Sequence, residues 1–413
     1  MEPRAAFRYP NFRLYMTARS LAVVSSEMIA VAVGWQIYAL THRPLDLGLV
    51  GLAQFAPGVL LFLIAGHTAD RVARQTILKV CYAGYALCAV ALLGLSVHGI
   101  ASVWPIYAVL LSYGVIRAFS GPAGQAFLPQ LVAAEDFSNA VTWSSSFFQA
   151  ATILGPLAGG LIYGFASSPV PVYVCAFIAN CAAALLLLPI RPNIAPREKI
   201  EEEGIGMILE GLRYIWRSKL ILGCISLDLF AVLLGGAAAL LPVYAREILH
   251  TGPNGLGLLR AAPGLGAVLV ALLLAHYPLR RRAGLAMLWC VCGFGVFTIV
   301  FGLSHNLALS FLALLLTGAF DMVNVIVRST LVQLATPDEM RGRVSAVNML
   351  FIGASNEFGQ FESGITAQWF GTVPAVVLGG VGSIAVVALW SWLFPALRRV
   401  DRLTEPKRAT LKQ

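Results

Sequence analysis

The sequence predicts an all-α membrane protein whose twelve transmembrane helices form two six-helix bundles related by pseudo-two-fold symmetry, and three observations predict it. Hydrophobic residues make up 58% of the 413 positions and charged residues only 12%, far from soluble averages. The stretches Phe137 to Ile190, Ala283 to Phe320 and Ser363 to Leu397 contain no Asp, Glu, Lys or Arg, and each has room for two crossings. Most of the 29 Lys and Arg gather on alternate connections, as a bilayer topology demands and a nucleic-acid surface would not.

Each element follows from the length a bilayer imposes. A helix needs about 20 apolar residues to cross the hydrocarbon core, where an unpaired backbone group costs several kcal/mol. The unbroken apolar runs exclude the alternation of a barrel. Spans are expected near 14–40, 45–69, 75–97, 104–131, 138–166, 170–190, 220–245, 255–278, 284–303, 307–334, 343–370 and 373–396. With the N-terminus inside, the cytoplasmic side receives Arg4, Arg8 and Arg13, then Arg71, Arg74 and Lys79, then the group from Arg191 to Lys219. Arg280 to Arg282, Arg341 with Arg343, and the basic tail from Arg398 to Lys412 follow on the same side, against only Arg43 and Arg246 outside. Both termini are therefore expected in the cytoplasm, and the chain in the cytoplasmic (inner) membrane as a multi-pass protein. The first apolar stretch is longer than a signal-peptide core and carries Glu27, so it reads as an uncleaved helix.

The chain also resembles itself. Pro44, Leu47, Gly48 and Leu49 recur 209 positions later as Pro253, Leu256, Gly257 and Leu258, and Gln130-Leu131 with Glu135-Asp136 recur as Gln333-Leu334 with Asp338-Glu339. Parallel repeats of six spans place both copies on one side of the membrane. The expected domains are residues 1–190, a cytoplasmic linker 191–219, residues 220–397, and a basic cytoplasmic tail 398–413. In the linker, acids Glu201 to Glu203 precede Ile205, Ile208, Leu209, Leu212, Ile215 and Trp216 at helical spacing, with Arg213, Arg217 and Lys219 at the end. That order suits the helix dipole and an amphipathic surface helix.

Three motifs carry a resemblance. Gly66, Ala69, Asp70, Arg71 and Arg74 follow span two; Arg117 and Gly121 lie in span four; Gly155, Pro156, Gly159 and Gly160 lie in span five. They resemble, in turn, the loop signature, the R-x-x-x-G and the antiporter G-P-x-x-G-G of the major facilitator superfamily. Thr68, Ala73 and Gln75 depart from the loop pattern, and Phe147 and Ala151 stand where the antiporter pattern has glycines. The loop Thr336 to Arg343 resembles the enterobactin-exporter and drug-efflux branch. The resemblance implies that Asp70, Arg71 and Arg74 form a charge latch against the cytoplasmic start of span eleven, and that span five bends at its Gly-Pro-Gly-Gly hinge.

Ionisable groups at mid-membrane cost about 2.5 kcal/mol or more, so they usually face a cavity and serve function. Glu27, Asp321 and Glu357 are expected near mid-depth with Arg117; Asp228 and Arg328 lie nearer the inside, Arg260 and Glu362 nearer the outside. Asp321, Asn324 and Arg328 share one face of span ten at i, i+3 and i+7, a polar stripe expected to face a central cavity. Either Glu27 or Asp321 is expected to neutralise Arg117, with Glu357 exchanging protons with the cavity.

The function expected is secondary active transport, with proton-coupled export of a small amphiphilic molecule such as a drug or siderophore-like metabolite. Proton-coupled uptake, or a sensor that moves no solute, uses the same features. No phosphate-binding loop occurs, and the six His and seven Cys show no metal or nucleophile constellation, so no enzymatic activity, metal or cofactor is expected. The expected partners are the small-molecule substrate, protons and the lipid bilayer, with no nucleic acid, around a monomer.

Overall fold

A computed structural model describes residues 4–99, 102–192, 205–277 and 282–401, and every regular element among them is helical. The acidic run Glu201 to Glu203, Arg280 and Arg281, and the tail beyond Asp401 lie outside the described residues, as does the side chain of Asp70.

The helices are α1 (Pro10–Thr41), α2 (Pro44–Leu60), α3 (Phe62–Arg71), α4 (Arg74–His98), α5 (Trp104–Phe127), α6 (Phe137–Ala166), α7 (Val170–Leu186) and α8 (Ile205–Arg217). They continue as α9 (Lys219–Gly235), α10 (Leu241–Val243), α11 (Gly252–His276), α12 (Ala283–Leu303), α13 (Leu307–Ala335), α14 (Asp338–Phe370), α15 (Thr372–Leu393) and α16 (Pro395–Arg399). Among the described residues, 9 helical stretches are long and apolar enough to cross a membrane. The remaining expected spans differ for visible reasons. The second is split at Leu61, where ψ turns to 3°, into α2 and α3. The sixth, α7, has 17 residues, and the eleventh, α14, has 33 but carries several charges. The expected loop from Thr336 to Arg343 shrinks to Thr336 and Pro337, because α14 already begins at Asp338.

Span seven is broken rather than continuous. Helix α9 stops at Gly235, Gly236 turns to ψ 80°, and a 3-10 turn (Ala237–Leu240), α10 and a π-helical turn (Tyr244–Ile248) follow. The Gly236 carbonyl freed by the break accepts a 2.7 Å hydrogen bond from the Ser363 hydroxyl of α14. A neighbouring hydroxyl is what makes such a break tolerable at membrane depth.

The helices pack as two compact units: Met1–Lys199 with Leu241–Ala261, and Ile200–Leu240 with Ala262–Gln413. In the first, α1 packs on α6 and α7, and α4 on α5 and α7; in the second, α9 packs on α14 and α15, and α12 on α13 and α15. Span for span, the same pairs recur. The core of the second unit gathers Ile215, Cys224, Leu227, Met287, Val327, Val347 and Trp390. Helix α8 joins it: Ile215 is fully buried, Tyr214 donates to the Ala335 carbonyl at 3.2 Å, and Glu210 pairs with Arg343 at 2.6 Å. Burial against this edge pushes the Tyr214 phenol above its ordinary pKa.

Candidate functional site

In the first unit the site is built where helices approach closely. A Cβ added at Gly155 would stand 2.5 Å from the Glu27 Cβ, and one at Gly159 would stand 2.9 Å from the Met28 Cα. Gly160 faces the other way within the unit, with the Pro253 carbonyl 2.6 Å and the Gly257 Cα 2.8 Å from such a Cβ. The glycines of α6 therefore set two helix crossings at once, with Pro156 inside the helix between them. Glu27, half-buried on α1, is the carboxylate this packing holds in place. Arg117 extends an exposed side chain from α5, one turn after the buried Tyr113. Gly121 has open space around it, so the glycine of this motif is not a packing contact. It precedes Pro122, which removes a hydrogen bond from α5.

The loop that carries the first motif is shorter than that motif suggests: α3 runs to Arg71, and only Val72 and Ala73 separate it from α4. Arg74 donates to the Ala126 carbonyl at 2.6 Å, which ties α4 to α5, while Gly66 and Arg71 are exposed. Farther along the unit, Arg260 donates to the Ala30 carbonyl at 3.2 Å, the Tyr38 hydroxyl bonds the Glu247 carboxylate, and the Arg246 guanidinium lies 5.8 Å over the Trp35 ring.

The second unit holds a buried ion pair. Arg328 of α13 meets Asp228 of α9 at 3.3 Å, the two side chains being 3% and 6% exposed. Asn324, one turn earlier, donates to the other Asp228 oxygen at 2.6 Å, and Arg328 donates to Asn348 of α14 at 2.7 Å. Three helices are thus tied by one network that encloses Arg328. Of the expected stripe, Asn324 and Arg328 engage Asp228, and Asp321 on the same helix is half-buried. Within the network the Arg328 Nε and the Asn324 Oδ1 have no hydrogen-bond partner among the described residues. Charge pattern marked Asp228 and Arg328, but nothing in the sequence marked Asn348.

Helix α14 carries the other carboxylates. Glu357 is buried and accepts from Gln360 at 3.3 Å; Glu362 is half-buried and accepts from Thr366 at 2.8 Å. Glu362 lies in a groove of about 610 Å³, otherwise largely apolar, between α9 and α14, with Leu229, Leu233, Phe358 and Trp369 on its walls. Such a groove suits an apolar molecule bearing one hydrogen-bond donor or positive charge. Among the described residues no three His, Cys, Asp or Glu side chains converge as metal ligands do.

Comparison with known proteins covers the chain almost end to end. The family described as transmembrane secretion effector matches residues 1–410. The enterobactin exporter EntS of Citrobacter koseri is 27% identical over 397 residues, covering 95% of this chain and 93% of that protein. Its counterpart in Escherichia coli O157:H7 is 26% identical over 405 residues, covering 97% and 95%. Among solved structures, a bacterial homologue of the human lysosomal transporter Spinster superposes with a TM-score of 0.71 at 13% identity, covering 96% of this chain and 97% of that one. A bacterial homologue of the iron transporter ferroportin gives a TM-score of 0.68 at 15% identity, covering 94% and 99%.

Proposed function

Because this chain belongs to the transmembrane secretion effector family of major facilitator transporters, in the enterobactin-exporter branch, we propose that it exports a small amphiphilic molecule in exchange for protons by alternating access. It is a multi-pass inner-membrane transporter and not an enzyme. The observation that carries the export reading is the similarity to enterobactin exporters along nearly the whole chain.

The proposal assigns twelve spans in two six-helix repeats with both termini cytoplasmic, and a monomer as the working unit. Support comes from the recurring helix pairs, from the split second span, and from the polar α14 standing as the eleventh. Proton exchange falls to Glu27 and Glu357, and Asp321 is the third candidate. A proton moving inward releases about 2.3 kcal/mol per 100 mV and about 1.4 kcal/mol per pH unit, enough to drive a solute outward against a large gradient. In this reading Asp70, Arg71 and Arg74 latch the cytoplasmic side, while α6, packed closely on α1, bends at its Gly155, Pro156, Gly159 and Gly160 hinge. The apolar groove beside Glu362 supports an amphiphilic substrate.

Everted membrane vesicles provide the test. Export predicts that energised everted vesicles accumulate an amphiphilic substrate and that collapsing the pH gradient abolishes the uptake. Accumulation in right-side-out vesicles alone would instead establish uptake, and accumulation in neither would remove transport of the compounds tried.

A further inference from the structure

Helix α8 has more apolar surface than its dock uses. At about 100° per residue, Gly206, Leu209, Glu210, Arg213, Trp216 and Arg217 fall on one arc of roughly 120°, and all six are exposed. Gly211 and Ile215 lie on the opposite side and are buried. A Cβ at Gly211 would stand 2.8 Å from the Arg343 carbonyl, so the docked face has no slack. The helix cannot roll to cover Leu209 and Trp216, which remain 55% and 65% exposed. Arg213 sits between them, one turn from each, and Arg217 follows Trp216.

The depth of this face is set by its neighbour. Ser218 alone separates α8 from α9, which enters the membrane as span seven, and its hydroxyl caps α9 by accepting from the Ile221 amide. Trp216, Arg217 and Lys219 therefore stand within a turn of the bilayer entry point. Lys219 opens α9, where the helix dipole by itself favours an anion. Tryptophan and leucine interleaved with arginine at that depth match the headgroup boundary, where indole rings settle and basic residues meet lipid phosphates.

We infer that the outward face of α8, formed by Leu209, Arg213, Trp216 and Arg217 with Lys219 beyond it, is a docking surface for anionic phospholipid headgroups. Its opposite face is held against α14 where Gly211 meets the Arg343 carbonyl, and Glu210, at the edge of the outward face, pairs with the Arg343 side chain, so headgroup binding bears on the helix that carries Asn348 and Glu357. This inference does not depend on the transported substrate.

The test uses the full chain in nanodiscs of phosphatidylcholine with or without phosphatidylglycerol, the lipids brominated in the upper acyl chain. Subtracting the emission of Trp216→Phe from that of the unaltered protein isolates Trp216. The expected result is quenching of Trp216 by brominated lipid. Native mass spectrometry is expected to show co-purifying phosphatidylglycerol falling about fivefold for each charge removed in Arg213→Gln, Arg217→Gln and Lys219→Gln. An Arg213→Lys, Arg217→Lys variant is expected to retain the lipid, and unchanged thermal melting separates lipid loss from unfolding. Quenching of Trp216 by aqueous iodide but not by brominated lipid would overturn the inference, as for a face that meets cytosol or a protein. Undiminished phosphatidylglycerol in the neutralised variant would overturn it as well.

Discussion

At the residue scale, the Asp228 and Arg328 pair shows how costly an enclosed charge becomes once its partner is gone. Both side chains are nearly inaccessible, and Asn324 and Asn348 add one hydrogen bond each to the pair. Removing one partner leaves the other charged in a low-dielectric interior, which typically costs about 3–5 kcal/mol. Asp228→Asn and Arg328→Gln are each expected to lower the melting temperature in detergent sharply. The double variant is expected to recover part of the loss, because no lone charge remains; a double variant less stable than either single one would refute this account. Ser363→Ala acts by the same logic on a smaller scale, since the Gly236 carbonyl loses its donor at a cost of about 1–3 kcal/mol.

At the element scale, the glycines of α6 determine how near its neighbours come. Gly160 and Gly257 face each other with no room for a side chain on either, and Gly155 gives Glu27 its place. Gly160→Val is therefore expected to abolish transport in vesicles while the protein still inserts. Gly121→Ala, where the space is open, is expected to leave transport within about twofold of the original, as an exposed helix position with improved propensity would. Span seven shows an element whose continuity fails where two glycines meet. The pair Gly235-Gly236 is plain in the sequence, yet its break depends on a hydroxyl from another helix, and a hydropathy window is blind to that contact.

At the scale of the whole molecule, Glu357→Gln and Glu27→Gln test coupling. The expected outcome is loss of flux driven by a pH gradient with downhill efflux retained; unchanged pH-driven flux in both would remove these carboxylates from the proton path. Topology is tested separately by labelling single cysteines placed near each terminus. Cytoplasmic labelling of both is expected, and labels on opposite faces would refute an even number of spans.

Hydropathy and charge placement alone determined that the chain is helical and spans a membrane, because the length and polarity of a bilayer act on every residue independently of its partners. The three motifs likewise identified the family, since each glycine and arginine spacing is local. Only the tertiary structure decided that Arg328 belongs to Asp228 and Asn348, that Gly155 stands against Glu27, and that α8 leaves Trp216 uncovered. Those outcomes join residues far apart in the chain, and they follow from how helices rotate about their axes when they pack, a choice that composition and periodicity leave open.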